Sequence, residues 1–147
     1  LWNSLDEAKE QVLYGLGLCD ILKISDNEIQ WLTGEEDFTK GVHWILERYH
    51  IPLILVSMGK EGSRAYYKDL IVEAKPFIQK NTIETTGAGD TFCACVLHYV
   101  LEHGLTDLTE NGLKEMLTFA NAAATRKGAL RVMPEREEVE KLLSCFN

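Results

Sequence analysis

The chain has 147 residues, 46% of them hydrophobic, and a formal net charge of −8 from 23 acidic against 15 basic side chains. That length can bury a continuous core, so one globular domain needs neither a disulfide nor a structural metal to fold. The acidic balance repels polyphosphate backbones and argues against a nucleic-acid partner, but backbone N–H groups and a metal could still hold a nucleotide.

In chain order, Ser4-Leu5-Asp6-Glu7 reads as a capping box, with Ser4 as N-cap and Glu7 reaching back. Leu5, Ala8, Val12 and Leu16 then recur at helical spacing, which predicts a helix to about Gly15 or Gly17. Residues 20–24 form a short apolar strand. Helices fit 26–32, closed by Gly34, and 37–49, with Val42, Ile45 and Leu46 inward. The near-continuous apolar run 52–58 suits a strand buried on both faces. Residues 63–67 and 70–74 read as a hairpin around Lys68-Asp69, and 82–85 as one more short strand. Helices then fit 91–103, 110–126 and 134–145, the last with Pro134 near its first turn. Alternating helices and buried strands predict an α/β fold with a mainly parallel sheet.

The segment that carries chemistry is Glu84-Thr85-Thr86-Gly87-Ala88-Gly89-Asp90-Thr91-Phe92. Its glycines let the backbone approach an anion closely, and the helix that follows aims its positive end at the same place. A carboxylate at Asp90 beside such an anion hole suits phosphoryl transfer, with the base taking a hydroxyl proton. On spacing alone, a plain turn with Asp90 as N-cap is the better reading. Two other phosphate motifs fail: Phe92 stands where a dinucleotide fingerprint needs its third glycine, and no G-x-x-x-x-G-K-[ST] occurs.

The run from Thr85 to Phe92 resembles the second signature of PfkB-type (ribokinase/fructokinase-like) sugar kinases, and further matches follow in the family's order. Lys23-Ile24-Ser25-Asp26-Asn27-Glu28 with Leu32-Thr33-Gly34 resembles the segment whose glutamate helps hold magnesium and phosphate. Val56-Ser57-Met58-Gly59-Lys60-Glu61-Gly62 resembles the strand and loop at the nucleotide. Phe119-Ala120-Asn121-Ala122-Ala123-Ala124 and Thr125-Arg126-Lys127-Gly128-Ala129 resemble the helix and loop that close over adenine and a monovalent cation.

The resemblance implies a ribokinase-like fold, of which this chain is the C-terminal, ATP-binding and catalytic portion as a single domain over 1–147. It implies phosphorylation of a small sugar by ATP with Mg2+, Asp90 as general base, and Gly87, Ala88 and Gly89 as anion hole. ATP contacts fall on Lys23, Ser25, Ser57, Gly59, Gly62, Asn121 and Gly128. Glu28 acts indirectly on magnesium, and Glu84, Thr86 and Arg126 on K+. Two departures stand out: Glu84 replaces the family's usual aspartate, and Ala124 runs into Thr125 about one helical turn early. The family's Gly-Gly and Asn-x-Asp elements and its dimer-forming lid are absent from these residues, so the sugar contacts and a lid-mediated homodimer lie outside the sequence. Lys23 with Ser25 leans toward the fructokinase branch. Kinases for ribose, 2-keto-3-deoxygluconate or a nucleoside are the alternatives, as is a nucleotide-binding module without catalysis.

Other residues have plainer readings. Cys19, Cys93, Cys95 and Cys145 form no C-x-x-C pair and read as small buried thiols of a reducing cytoplasm. His43, His50, His98 and His103 are dispersed and suit surface or packing roles, while Trp31 and Trp44 suit packing. Lys60 and Arg126 more often serve as solvated loop charges, and an acidic residue in a helix's first turn, such as Glu28, is favoured by the dipole alone. No apolar run approaches the ~20 residues of a membrane span.

Overall fold

A computed structural model describes residues 2–77, 87–126 and 135–145, with Arg126 described through its backbone alone. Its elements in order are α1 (Leu5–Leu16), β1 (Ile21–Ser25), α2 (Asp26–Thr33), α3 (Phe38–Leu46), β2 (Leu53–Ser57), a 3-10 turn (Gly59–Glu61), β3 (Ser63–Tyr67), β4 (Leu70–Ala74), α4 (Ala88–His103), α5 (Glu110–Arg126) and α6 (Arg136–Ser144). The strand expected at 82–85 and the Pro134 start of the last helix lie outside the described residues.

Local chemistry sets most boundaries. The Ser4 hydroxyl accepts the Glu7 N–H and caps α1. The Glu7 carboxylate takes the Asn3 N–H, one residue earlier than a capping box requires. A complete box forms instead at α2, where Ser25 and Glu28 exchange side-chain-to-backbone hydrogen bonds. Gly34 closes α2 in the left-handed conformation, at φ +80°. Asp37 caps α3 through the Thr39 N–H. That helix stops at Leu46, three residues short of the expected end, where the chain tightens and Arg48 N–H turns back to Ile45 O.

The sheet order is β1-β2-β3-β4. β1 and β2 are parallel, whereas β2–β3 and β3–β4 are antiparallel. The sheet is therefore mixed rather than mainly parallel, because only β1 and β2 are joined by helices, and five- and two-residue connections force reversal. The β3–β4 turn places Lys68 at φ +52°.

Two apolar layers sandwich the sheet. On one face Leu53, Leu55, Ala65 and Val72 pack on Phe92 and Val96 of α4 and on Leu113, Met116 and Leu117 of α5. On the other, Ile24, Ile54, Val56 and Tyr66 pack on Leu16 of α1, Ile29 and Leu32 of α2, and Val42 and Ile45 of α3. β2 thus divides its side chains between both layers, as its apolar run predicts. Buried Tyr67 satisfies its hydroxyl on the carbonyls of Leu105 and Thr106.

The cysteines are less buried than expected: Cys19, Cys93 and Cys95 are half-buried and Cys145 is exposed at the end of α6. All four histidines lie on the surface. Trp44 packs into the α1–α2–α3 layer, whereas Trp31 stays exposed. No helix among the described residues is long and apolar enough to cross a membrane.

Gly41 sets the approach of α3 to α2, since a Cβ there would lie 2.2 Å from Ile29 Cγ2. Gly41→Ala should destabilise the fold by about 1–3 kcal/mol through overpacking, measured by urea denaturation.

Candidate active site

The motif residues gather along one edge of the sheet. β1 and β2 are parallel, and β4 runs with them because β3 reverses twice, so the carboxyl ends of all three strands share that edge. Open α/β sheets bind ligands outside these ends. At β1 and β2 the register sets Ser25 opposite Ser57. Beyond β2, Met58 N–H donates to Gly62 O, and Gly62 presses on the end of β4: a Cβ there would lie 2.2 Å from Ala74 O. Gly62 also holds φ at +99°, and Gly59 at +53°. Glycine is therefore required at Gly62 on two counts, sterics and backbone conformation. Asn121 of α5 completes this end by donating to the carbonyls of Ala74 and Lys75.

At the opposite end of the rim, α4 begins beside β1. Gly87 is its N-cap, at φ +80°, with Ala88, Gly89 and Asp90 as the first turn. The first bond back to the cap is Thr91 N–H to Gly87 O, so the amides before it have no intrahelical acceptor. Asp90 is thus not the N-cap, as its spacing first suggested; it lies inside the first turn and is exposed. Lys23, on β1, reaches across to this turn. A Cβ on Gly89 would lie only 3.3 Å from Lys23 Nζ. The absent side chain leaves the ammonium room beside the positive end of α4, and two positive ends side by side form a place for an anion.

Glu28 sits in the first turn of α2, and its carboxylate accepts the Ser25 N–H at 2.7 Å. Partial burial pushes this carboxyl up, but the hydrogen bonds from Ser25 and the charge of Lys23 outweigh it and hold Glu28 below its ordinary value. Glu28 therefore has a structural task, closing the capping box, whatever else it does. The pattern Ser25-Asp26-Asn27-Glu28 carries that signal in the sequence. Asn121, expected at the nucleotide, commits its amide donors to β4 and tethers α5 to the sheet. Its side chain is buried.

Among the expected residues, the structure brings Lys23 to Gly89, Ser25 to Ser57, and Gly62 with Asn121 to the end of β4. Glu84, Thr86, Gly128 and the side chain of Arg126 lie outside the described residues. Two grooves of about 230 and 390 Å³ open elsewhere, between α4, α5 and α6, over Cys95, His98 and Phe119. Thr91, Phe119 and Ala123 of the motif segments line the first groove and Phe119 the second, whereas Lys23, Ser25, Ser57, Gly89 and Asp90 line neither. No cluster of three or more potential metal ligands occurs among the described residues.

The sequence profile of "pfkB family carbohydrate kinase" matches residues 1–127. The chain is 33% identical to probable fructokinase-4 of Arabidopsis thaliana and 34% identical to fructokinase-1 of Oryza sativa, in each case over 97% of this chain and 45% of the relative. It thus spans about half the length of these relatives. Among solved structures it is similar to fructokinase from Vibrio cholerae bound to fructose, ADP and calcium, at 26% identity and a TM-score of 0.83, over 97% of this chain and 46% of that one. It is also similar to Arabidopsis thaliana ribokinase bound to ribose and ATP, at 30% identity and a TM-score of 0.74, over 87% and 42%.

The lowered Glu28 value has a pH signature. Its contribution to stability is present above the unfolded carboxyl's value of about 4.3 and is lost as pH falls through the lower folded value. Glu28→Gln should therefore be less stable than wild type at neutral pH, and the gap should narrow below about pH 4 in urea titrations at a series of pH values.

Proposed function

Because this chain belongs to the pfkB family of carbohydrate kinases, we propose that it forms the nucleotide-binding and catalytic portion of a sugar kinase, with residues 1–147 as one domain. The observation that carries the proposal is the Lys23 ammonium beside Gly89, with Asp90 in the same first turn of α4. That arrangement supplies a base and a positive receptor in one place.

In the proposed reaction, a hydroxyl of the sugar loses its proton to Asp90 and its oxygen attacks the γ-phosphorus of ATP. The bond to the β-phosphate breaks and ADP leaves. The amides of Gly87, Ala88 and Gly89, together with Lys23, stabilise the charge on the phosphoryl group in flight. The nucleotide lies along 57–62 and the 121–128 segment, where Gly59 and Gly62 keep the backbone bare. Ser25 and Ser57 face it from the ends of β1 and β2.

Magnesium, when bound, neutralises phosphate charge. The chain's part in that site is Glu28, an exposed carboxylate beside Lys23 that suits an indirect, water-mediated contact. A potassium ion near Glu84, Thr86 and Arg126 belongs to the same proposal.

Fructose is the favoured acceptor, since the curated relatives cited are fructokinases. A cytoplasmic setting, with ATP and a sugar as the small-molecule partners, belongs to the same proposal.

In the complete kinase, Asp90→Asn should keep ATP affinity and lower kcat by roughly 10²–10⁴-fold, the usual worth of a general base. ADP release measured with fructose, ribose and 2-keto-3-deoxygluconate names the acceptor, and unchanged turnover in the variant would refute the role of Asp90. Lys23→Gln should lower kcat/KM for ATP by roughly tenfold to a hundredfold, the loss of one charge-assisted hydrogen bond of about 1.5–3 kcal/mol.

A further inference from the structure

Asn121 and Gly62 meet the same short stretch of backbone from two sides. β4 ends at Ala74, the last residue paired with β3, and Pro76 follows two residues later. Proline carries no N–H and biases the residue before it toward extended backbone. The Lys75 carbonyl therefore lies past the ladder, and the chain from there on needs another anchor.

Asn121 is that anchor. Its Nδ2 donates to Ala74 O at 3.2 Å and to Lys75 O at 3.1 Å. Only the amino end of a side-chain amide can face two carbonyls, so these bonds fix which way the group points. Both donors are thereby committed, in a residue that is 7% exposed. Removing them would leave carbonyls without partners at a buried place, the costly way to lose a hydrogen bond.

Gly62 sits on the other side of the same strip. A Cβ there would lie 2.2 Å from Ala74 O, 3.0 Å from Pro76 N and 3.1 Å from the Lys75 carbonyl carbon. Gly62 also closes the loop before it. Its carbonyl accepts the Met58 N–H at 2.9 Å, and its own N–H donates to Gly59 O at 3.3 Å. The Glu61 N–H returns to Met58 O at 3.0 Å. A shift of the 74–76 backbone therefore moves Gly62, and the loop moves with it.

We infer that Asn121 is a positioning residue for the 58–62 loop, acting through the 74–76 backbone rather than donating to the nucleotide. The inference rests on the reading of 57–62 as the nucleotide segment and names what holds that segment in place. Ser63 supplies a contrast at the same depth. It is paired in register with Ala74 and fully buried, yet its hydroxyl has no hydrogen-bond partner among the described residues. Its loss leaves the tether untouched.

Amide exchange in the complete kinase, measured without ATP or sugar, tests the inference. In Asn121→Ala the Met58 and Gly62 amides should exchange about tenfold faster than in wild type, with 53–57 unchanged. Asn121→Asp keeps the shape but turns a carboxylate toward two carbonyls, so it should loosen the loop at least as much. Ser63→Ala should leave the loop as it is. Asn121→Ser, which keeps one donor, gives the same comparison with a smaller change if the alanine variant does not fold. Unchanged loop exchange in the ligand-free Asn121 variants would overturn the inference, because a nucleotide contact acts only when nucleotide is bound. So would equal acceleration over 53–57, which marks a general loss of stability, or the same acceleration from Ser63→Ala.

In turnover, Asn121→Ala should raise KM for ATP about tenfold and leave kcat and the sugar KM within about threefold. A fall in kcat with KM for ATP unchanged contradicts the assignment to the loop. Loop exchange that responds to Asn121 in a protein that phosphorylates no sugar supports the tether and refutes the proposed function, so the two fail separately.

Discussion

The first turn of α4 and the ammonium of Lys23 occupy one small region, and both bring positive charge to it beside the Asp90 carboxylate. A helix start concentrates unbonded N–H groups and the positive end of the dipole. Lys23 adds a full positive charge there, at a place where Gly89 presents no side chain. Glu28 offsets part of this through its charge interaction with Lys23, which also helps keep its carboxyl ionised. The remaining field favours a polyanion, and the proposed kinase site follows from that constraint.

The sheet delivers the other components to the same edge. Parallel pairing aligns the ends of β1 and β2, and the β3–β4 hairpin returns β4 in the same direction. Gly62 can pack against Ala74 O only because it lacks a Cβ, and Asn121 then fastens α5 to the same strand end. The rim is thus assembled by backbone contacts, with few charged side chains committed to holding it. Such a rim suits a net acidic chain in the proposed role of a phosphate receiver.

Much of this was legible in the sequence because it rests on local rules. Gly34 as a helix terminator, the apolar run of β2 and the 63–74 hairpin all followed from residue type and period. The sheet's mixed character was less so: the short 58–62 connection implies reversal, yet the apolar run of β2 alone reads as a strand of a parallel sheet. The box at Ser25 and Glu28 was open to a pattern search, but its residues also matched a family motif, and the structural task was missed. The approach of Lys23 to Gly89 could not be read from spacing at all, since 66 residues separate them and only the tertiary fold joins them. Nor could the tether of Asn121 to β4. The exposure of Leu5 was hidden for a related reason, because periodicity shows which face a side chain takes and not whether anything covers it.

The most direct test of the rim as the anion site is to follow backbone and Lys23 side-chain NMR signals of the 147-residue chain while ATP is added. The account predicts that the largest shifts fall on Ala88, Gly89 and Asp90, on Lys23 Nζ and on Gly59 and Gly62. Shifts confined to Cys95, His98 and Arg136 in the α4–α5–α6 groove, with the first turn of α4 unmoved, would contradict it.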